Sequence, residues 1–222
     1  MNGMEQRAQR AIPRAEIDAI GYEMPDPQTT NECLQTLDAD TCARLGEQFS
    51  ETGHYQNAIR CFSAAIEKKI DNPWAYAHRG AARGAIRDLT GACSDFEMAR
   101  RLKGGAYAWA DAQEAEAHRL YVWHNASILP PGVLWNLIEK ALALFDRALK
   151  GGQNTAWTYA HRGATYCLAY WIASSSEACN PHTAFLVQKA ECDLTRACDL
   201  NKEYSWANSF RAITLTINKQ GA

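Results

Sequence analysis

One octapeptide occurs twice in this chain. Trp74-Ala75-Tyr76-Ala77-His78-Arg79-Gly80-Ala81 and Trp157-Thr158-Tyr159-Ala160-His161-Arg162-Gly163-Ala164 agree at seven of eight positions. A fixed period surrounds the first copy. Gly46 and Gly80 are 34 residues apart, and so are Ala58 and Ala92, Phe62 and Phe96, and Ala65 and Ala99. Such a period marks a repeat array, in which each unit buries its apolar face only by stacking on the next. Within a unit the Gly is followed twelve residues later by Ala, then by Phe after four more and by Ala after three. Spacings of four and three keep side chains on one helix face. The small residues let two helices approach, and the aromatic ring fills the space between neighbouring pairs.

Composition supports helices. The chain has 38 Ala and three Val in 222 residues. Ala is the strongest helix former, whereas Val is enriched in strands. A large β-sheet is therefore excluded, and the expected class is all-α.

The residues at the repeat positions resemble the tetratricopeptide-repeat (TPR) family, whose unit is a helix-turn-helix of about 34 residues. The first unit carries Leu45-Gly46, Phe49, Gly53, Tyr55, Ala58, Phe62 and Ala65, and the second Tyr76, Gly80, Ala92, Phe96 and Ala99. The second-helix signature returns as Ala141, Phe145 and Ala148, then as Ala190, Leu194 and Ala197. These two sets are 49 residues apart, 15 more than the period. Fifteen residues are about four helical turns. Two turns added to each helix of a pair leave the inter-helix turn in place. That turn is expected at Pro130-Pro131-Gly132 in the third unit. In the fourth it is expected from Ser174 to Pro181, with Asn180 as N-cap and Pro181 at the first helical position.

The chain departs from the family pattern in three ways. Cys42, Tyr76 and Tyr159 stand where the family has a Trp, and the closing Pro is absent. Asp71-Asn72-Pro73, Gly104-Gly105, Gly151-Gly152 and Asn201 supply turn chemistry in its stead. The first helix of the third unit, Ala106 to about Asn125, matches poorly, and its Gly position is Glu114.

The resemblance implies a right-handed α-solenoid of stacked antiparallel helix pairs, two of them lengthened in the C-terminal half. The units are 39–72, 73–106, 107–155 and 156–204, followed by a C-terminal capping helix and tail, 205–222. Residues 1–38 are an N-terminal extension. Ile12, Ile17 and Ile20 are spaced for a short helix, and Met24-Pro25-Asp26-Pro27 reads as a linker. The extension is a tail, a cap or an intramolecular ligand of the groove. Phe210, Ile213, Leu215 and Ile217 make the last helix more apolar than a solvated cap requires, so self-association through it is an alternative.

In this family the first helix of each pair lines a concave groove that takes a peptide segment of a partner. The matching positions here include Trp74, Ala77, His78, Ala81, Asp111, His118, Trp157, Ala160, His161, Ala164 and Cys167. Small side chains leave room for a ligand backbone, and Trp and His offer large contacts at little entropic cost. Arg79 and Arg162 are expected to bury their stems between helices and expose their heads. One known use of the family, a clamp for chaperone C-terminal tails, needs Lys, Asn and Arg where this chain has Ala43, Glu47, His78, Ala108 and Ala112. That ligand is not expected.

Catalysis is not expected either. Asp111, Glu114 and His118 share one helix face, a spacing that suits metal ligation or acid-base work. Neighbouring Glu116 and Arg119 instead suggest a solvated surface, so no metal or cofactor is expected. No phosphate-cradling loop, H-E-x-x-H or Gly-x-Ser-x-Gly elbow is present. The eight Cys have no C-x-x-C spacing and read as free, mostly buried thiols. A net charge of -2 argues against nucleic acid. The start lacks the apolar core of a secretory signal, and no run approaches a membrane span. The expected protein is a cytoplasmic, non-enzymatic adaptor or scaffold. A bacterial secretion-type chaperone and a self-assembling scaffold are the alternatives.

Overall fold

A computed structural model describes residues 34–174 and 183–220, without the side chains of 217–220. The expected helix at Ile12–Ile20, the linker at Met24–Pro27, and Asn180-Pro181 lie outside the described residues, as do Cys33, Cys179 and the Ile217 side chain. The described residues form helices α1 (Ala39–Glu51), α2 (Tyr55–Lys68), α3 (Pro73–Ala85), α4 (Leu89–Leu102), α5 (Ala108–Asn125), α6 (Pro131–Lys150), α7 (Ala156–Ser174), α8 (Thr183–Leu200) and α9 (Ser205–Gln220). No strand occurs among them. None of these helices is long and apolar enough to cross a membrane.

Local chemistry sets the helix ends. Asp38, Asn72 and Asp88 cap α1, α3 and α4, each side chain accepting from the backbone N–H three residues on. Pro73 and Pro131 begin α3 and α6, where a missing N–H costs nothing. Gly53 and Gly152 follow α1 and α6 at φ +80 and +93, which L side chains rarely adopt.

The chain divides after Gly105 into two units. In the first, α1 pairs with α2 and α3 with α4. A Cβ on Gly46 would lie 2.7 Å from Phe62, and one on Gly80 would lie 3.1 Å from Phe96. The repeat Gly is thus the seat of the repeat Phe. Phe62 and Phe96 are fully buried.

In the second unit, α5 pairs with α6 and α7 with α8, and α9 packs on α8. Leu194 replaces Phe against Gly163, at 2.8 Å from the position of a Cβ. The eight repeat Ala, 58, 65, 92, 99, 141, 148, 190 and 197, are all 0% exposed. Helices α5 to α8 run to 18, 20, 19 and 18 residues, against 13 or 14 in the first unit. The added turns form a core of their own around Val122, Leu134, Ile138, Leu168, Ile172 and Leu186.

Two sequence expectations need correction here. The Arg79 and Arg162 heads are not exposed. Arg79 donates twice to the buried Asp95, at 2.9 and 2.7 Å, and once to Ser63 at 3.0 Å. Arg162 donates twice to the buried Asp193, at 2.7 and 2.6 Å, and once to Asp146 at 2.6 Å. Each guanidinium therefore ties its own helix to the second helix of its pair and to the second helix of the preceding pair. The thiols are also less uniformly buried than expected. Cys42, Cys61 and Cys198 are buried, Cys93 and Cys167 are half-buried, and Cys192 is exposed. All six are free.

Candidate functional site

The repeated octapeptide builds the same two-ring platform in both units. Trp and His four residues apart lie on one helix face. The Trp74 and His78 rings are 4.0 Å apart, and those of Trp157 and His161 are 4.1 Å apart. All four rings are half-buried. In the first unit Phe62 lies 5.8 Å from both Trp74 and His78. Burial pushes the His78 ring down to about 3, so this platform is uncharged at neutral pH.

In the second unit the platform continues as a column. His161 is stacked between Trp157 and Trp206, with Trp206 at 4.6 Å, and Phe210 follows at 4.5 Å from Trp206. Tyr204 closes the side of the column, its hydroxyl 3.4 Å from His161 Nε2. Helices α7 and α9 supply these rings, and α5 supplies the polar floor. Glu116 Oε2 sits 2.8 Å from His161 Nδ1. Arg119 donates to the Glu116 carboxylate twice, at 2.7 and 2.6 Å, and its guanidinium lies 6.0 Å from the Trp206 ring centre. Burial alone would raise the Glu116 pKa. The Arg119 hydrogen bonds and the His161 ring outweigh it and hold the carboxyl below its ordinary value.

Helix α5 overturns the expectation of a solvated face. Asp111, Glu114, Glu116, His118 and Arg119 are all buried, none more than 9% exposed. Asp111 accepts two bonds from Arg147 on α6, at 2.8 and 2.5 Å. Glu114, in the place of the repeat Gly, lies 3.8 Å from both Lys140 Nζ and His118 Nε2. A helix that is polar on every side can be buried when basic residues of its neighbours meet its acids. Arg147, Lys140 and His161 stand 36, 26 and 45 residues away from their partners in sequence, so the α5 sequence by itself does not reveal them.

The other expected groove residues divide by burial. Ala77, Ala160 and Ala164 are buried and offer a ligand no side-chain surface, while Ala81 and Cys167 are half-buried. Burial lifts the Cys167 thiol to about 12, which leaves it without nucleophilic character at neutral pH. Sequence reasoning places Trp206 at the groove position of Trp74 and Trp157 but misses Tyr204 and Phe210 as parts of the column. The match of Trp206 to Trp157 was the signal for them.

No protein-family model matches the chain, and no curated protein matches its sequence. The fold has similar solved structures. A thermophilic TPR protein of Thermus thermophilus is 17% identical, with a TM-score of 0.52 over 80% of this chain and 99% of that one. MamA 41-end from Desulfovibrio magneticus is 14% identical, with a TM-score of 0.54 over 82% of this chain and 85% of that one.

Proposed function

We propose that this chain, whose fold is that of the tetratricopeptide-repeat proteins, is a non-enzymatic adaptor that holds a peptide segment of another protein against its Trp–His platforms. The observation that carries the reading is the platform itself. The same Trp and His are placed on the first helix of a pair twice, with ring centres 4.0 and 4.1 Å apart, and left half-buried both times. Packing alone is satisfied by aliphatic residues, as Leu194 shows where it replaces the repeat Phe. A ring pair kept partly in solvent offers contact area at low entropic cost.

The charges support a ligand of low charge. Glu116 and Arg119 neutralise one another at the floor of the column, and His78 is neutral. Affinity then comes from aromatic contact and backbone hydrogen bonds. The acid and base groups that catalysis would use are engaged in ion pairs, with Asp111 on Arg147 and Glu116 on Arg119.

Affinity capture from the native cell tests this reading when the wild type is run beside two double variants, Trp74→Ala/His78→Ala and Trp157→Ala/His161→Ala. The expected result is a protein captured by the wild type and lost with at least one double variant of unchanged helicity. A partner retained by both variants overturns the reading.

A further inference from the structure

We propose that the outer face of α9 is a docking surface for a helix of a partner protein, one that carries an acidic residue directly before a large aliphatic residue. Helix α9 is built as a further first helix of a pair. Trp206, Arg211 and Ala212 stand where α3 has Trp74, Arg79 and Gly80 and α7 has Trp157, Arg162 and Gly163. Its inner side is closed as theirs are. Ala207 packs among Ala160, Ala197 and Cys198, and Thr214 is buried like its counterparts Ala82 and Thr165. The outer side is open. Gly80 and Gly163 are buried under Phe96 and Leu194. Ala212 is exposed, and Ile213 beside it is 53% exposed.

The helix pairs of this chain state what such a face takes. In α4, Asp95 precedes the seated Phe96 and pairs with Arg79. In α8, Asp193 precedes the seated Leu194 and pairs with Arg162. The other two pairs have Leu45 and Gln113 in the place of the Arg, and there the repeat Phe is preceded by Cys61 or Leu144. The Arg and the Asp therefore occur together or not at all. Both acid-bearing helices read Ala-x-x-Asp-Φ-x-x-Ala, with Φ as Phe or Leu, over Ala92 to Ala99 and Ala190 to Ala197. Those spacings keep the four residues on one helix face. Arg211 is the third Arg of this kind. Its guanidinium has no hydrogen bond or ion pair among the described residues.

A second copy of this chain supplies no such helix. Its Asp95 and Asp193 are already held by Arg79 and Arg162. Its α9 carries Arg211 and Lys219 and no acid, so two α9 faces set against each other bring like charges together. An amphipathic helix of another protein meets the face with the missing acid and one apolar anchor. The Cβ of Ala212 limits that anchor. Leu194 Cγ lies 2.8 Å from where a Cβ would stand on Gly163. A visiting helix therefore sits further out on α9 than α8 does on α7, and Leu suits the seat better than Phe.

A labelled peptide of residues 183–200, with Cys192→Ser and Cys198→Ser, is a suitable probe because it presents Asp193-Leu194 in their own helical sequence. Fluorescence anisotropy follows its binding to the full chain. The wild type is expected to bind with a Kd of about 100 μM or tighter. Arg211→Glu in the chain, or Asp193→Lys in the peptide, is expected to weaken binding about tenfold or more. The two changes together are expected to recover it, since the pair is restored with its signs exchanged. Ala212→Glu, at an exposed position, is expected to abolish binding with an unchanged far-ultraviolet circular dichroism spectrum. Hydrogen-exchange protection of residues 208–216 on adding the peptide gives a readout that needs no variant. A wild type that does not bind overturns the proposal. So does binding that Arg211→Glu leaves unchanged and Trp157→Ala/His161→Ala removes, which places the peptide on the platform. A wild-type dimer in sedimentation equilibrium that Ala212→Glu separates gives the face to a second copy and also overturns it.

Discussion

Replacing Arg162 by Met removes a guanidinium and keeps most of the stem. The loss is unequal across its two partners. Asp146 is about half exposed, and an exposed pair of this kind contributes about 0–1 kcal/mol. Asp193 is 5% exposed and takes two of the three hydrogen bonds. Leaving such a carboxylate unpaired costs about 3–5 kcal/mol, and the partial exposure of Arg162 favours the lower end. Removing the acid as well, in Arg162→Met/Asp193→Leu, is expected to return stability to within about 1 kcal/mol of the wild type, because both desolvation penalties go together.

The pH dependence provides a second check. Burial already raises the Asp193 pKa in the presence of Arg162. Without Arg162 it rises further. A carboxyl raised in the folded state is a source of stability below its unfolded value of about 3.9, and that stability is lost as pH rises through the folded value. The single variant is therefore closer to wild type at about pH 5 than at about pH 8. Urea denaturation followed by circular dichroism measures both effects. A double variant no more stable than the single one refutes the reasoning, and so does a deficit that does not shrink in acid.

Three further expectations follow from the same geometry. Gly46→Ala gains up to about 1 kcal/mol of helix propensity, but its Cβ meets the fully buried Phe62 ring at 2.7 Å, so the expected net effect is a loss of about 1–3 kcal/mol in thermal denaturation. Gly80→Ala, with its nearest contact at 3.1 Å, is expected to lose less. His78 is held uncharged by burial, so the unfolded chain binds its proton first. Stability then falls as pH drops from about 6.5 towards about 3, by at most about 1.4 kcal/mol per pH unit. His78→Phe is expected to remove that slope from urea midpoints measured across the range. Glu116→Gln leaves Arg119 buried without its counter-charge and is expected to cost about 2 kcal/mol or more by the same assay.

The helix pairs were legible because a single period carries them. Gly46 with Phe62 and Gly80 with Phe96 are contacts between neighbouring helices, and a repeated contact leaves a repeated residue. The added turns were legible for the same reason, since the Ala141 and Ala190 sets kept their internal spacing while the interval grew.

The ion pairs were less so. Asp95 follows Arg79 by 16 residues and Asp193 follows Arg162 by 31, the same spacing lengthened by the 15 inserted residues. That regularity was present in the sequence, but an acid on a helix reads as solvent-facing until its partner is located. Helix α5 was opaque for a stronger reason. Its acids and His118 show the pattern of an exposed helix, and burial is made tolerable by Arg147, Lys140 and His161 from elsewhere in the chain. The platforms fall between these cases. The Trp and His were visible as a repeated octapeptide, whereas the stacking of Trp206 on His161, and the packing of Phe210 on Trp206, depend on how α9 follows α8.

The most direct test of the adaptor reading is a calorimetric titration. Synthetic segments tiling the captured partner are titrated into the wild type, Trp74→Ala/His78→Ala and Trp157→Ala/His161→Ala. The account predicts one segment of low charge that binds the wild type, with an affinity at least tenfold weaker in one double variant or both. A segment that binds all three proteins equally would contradict it.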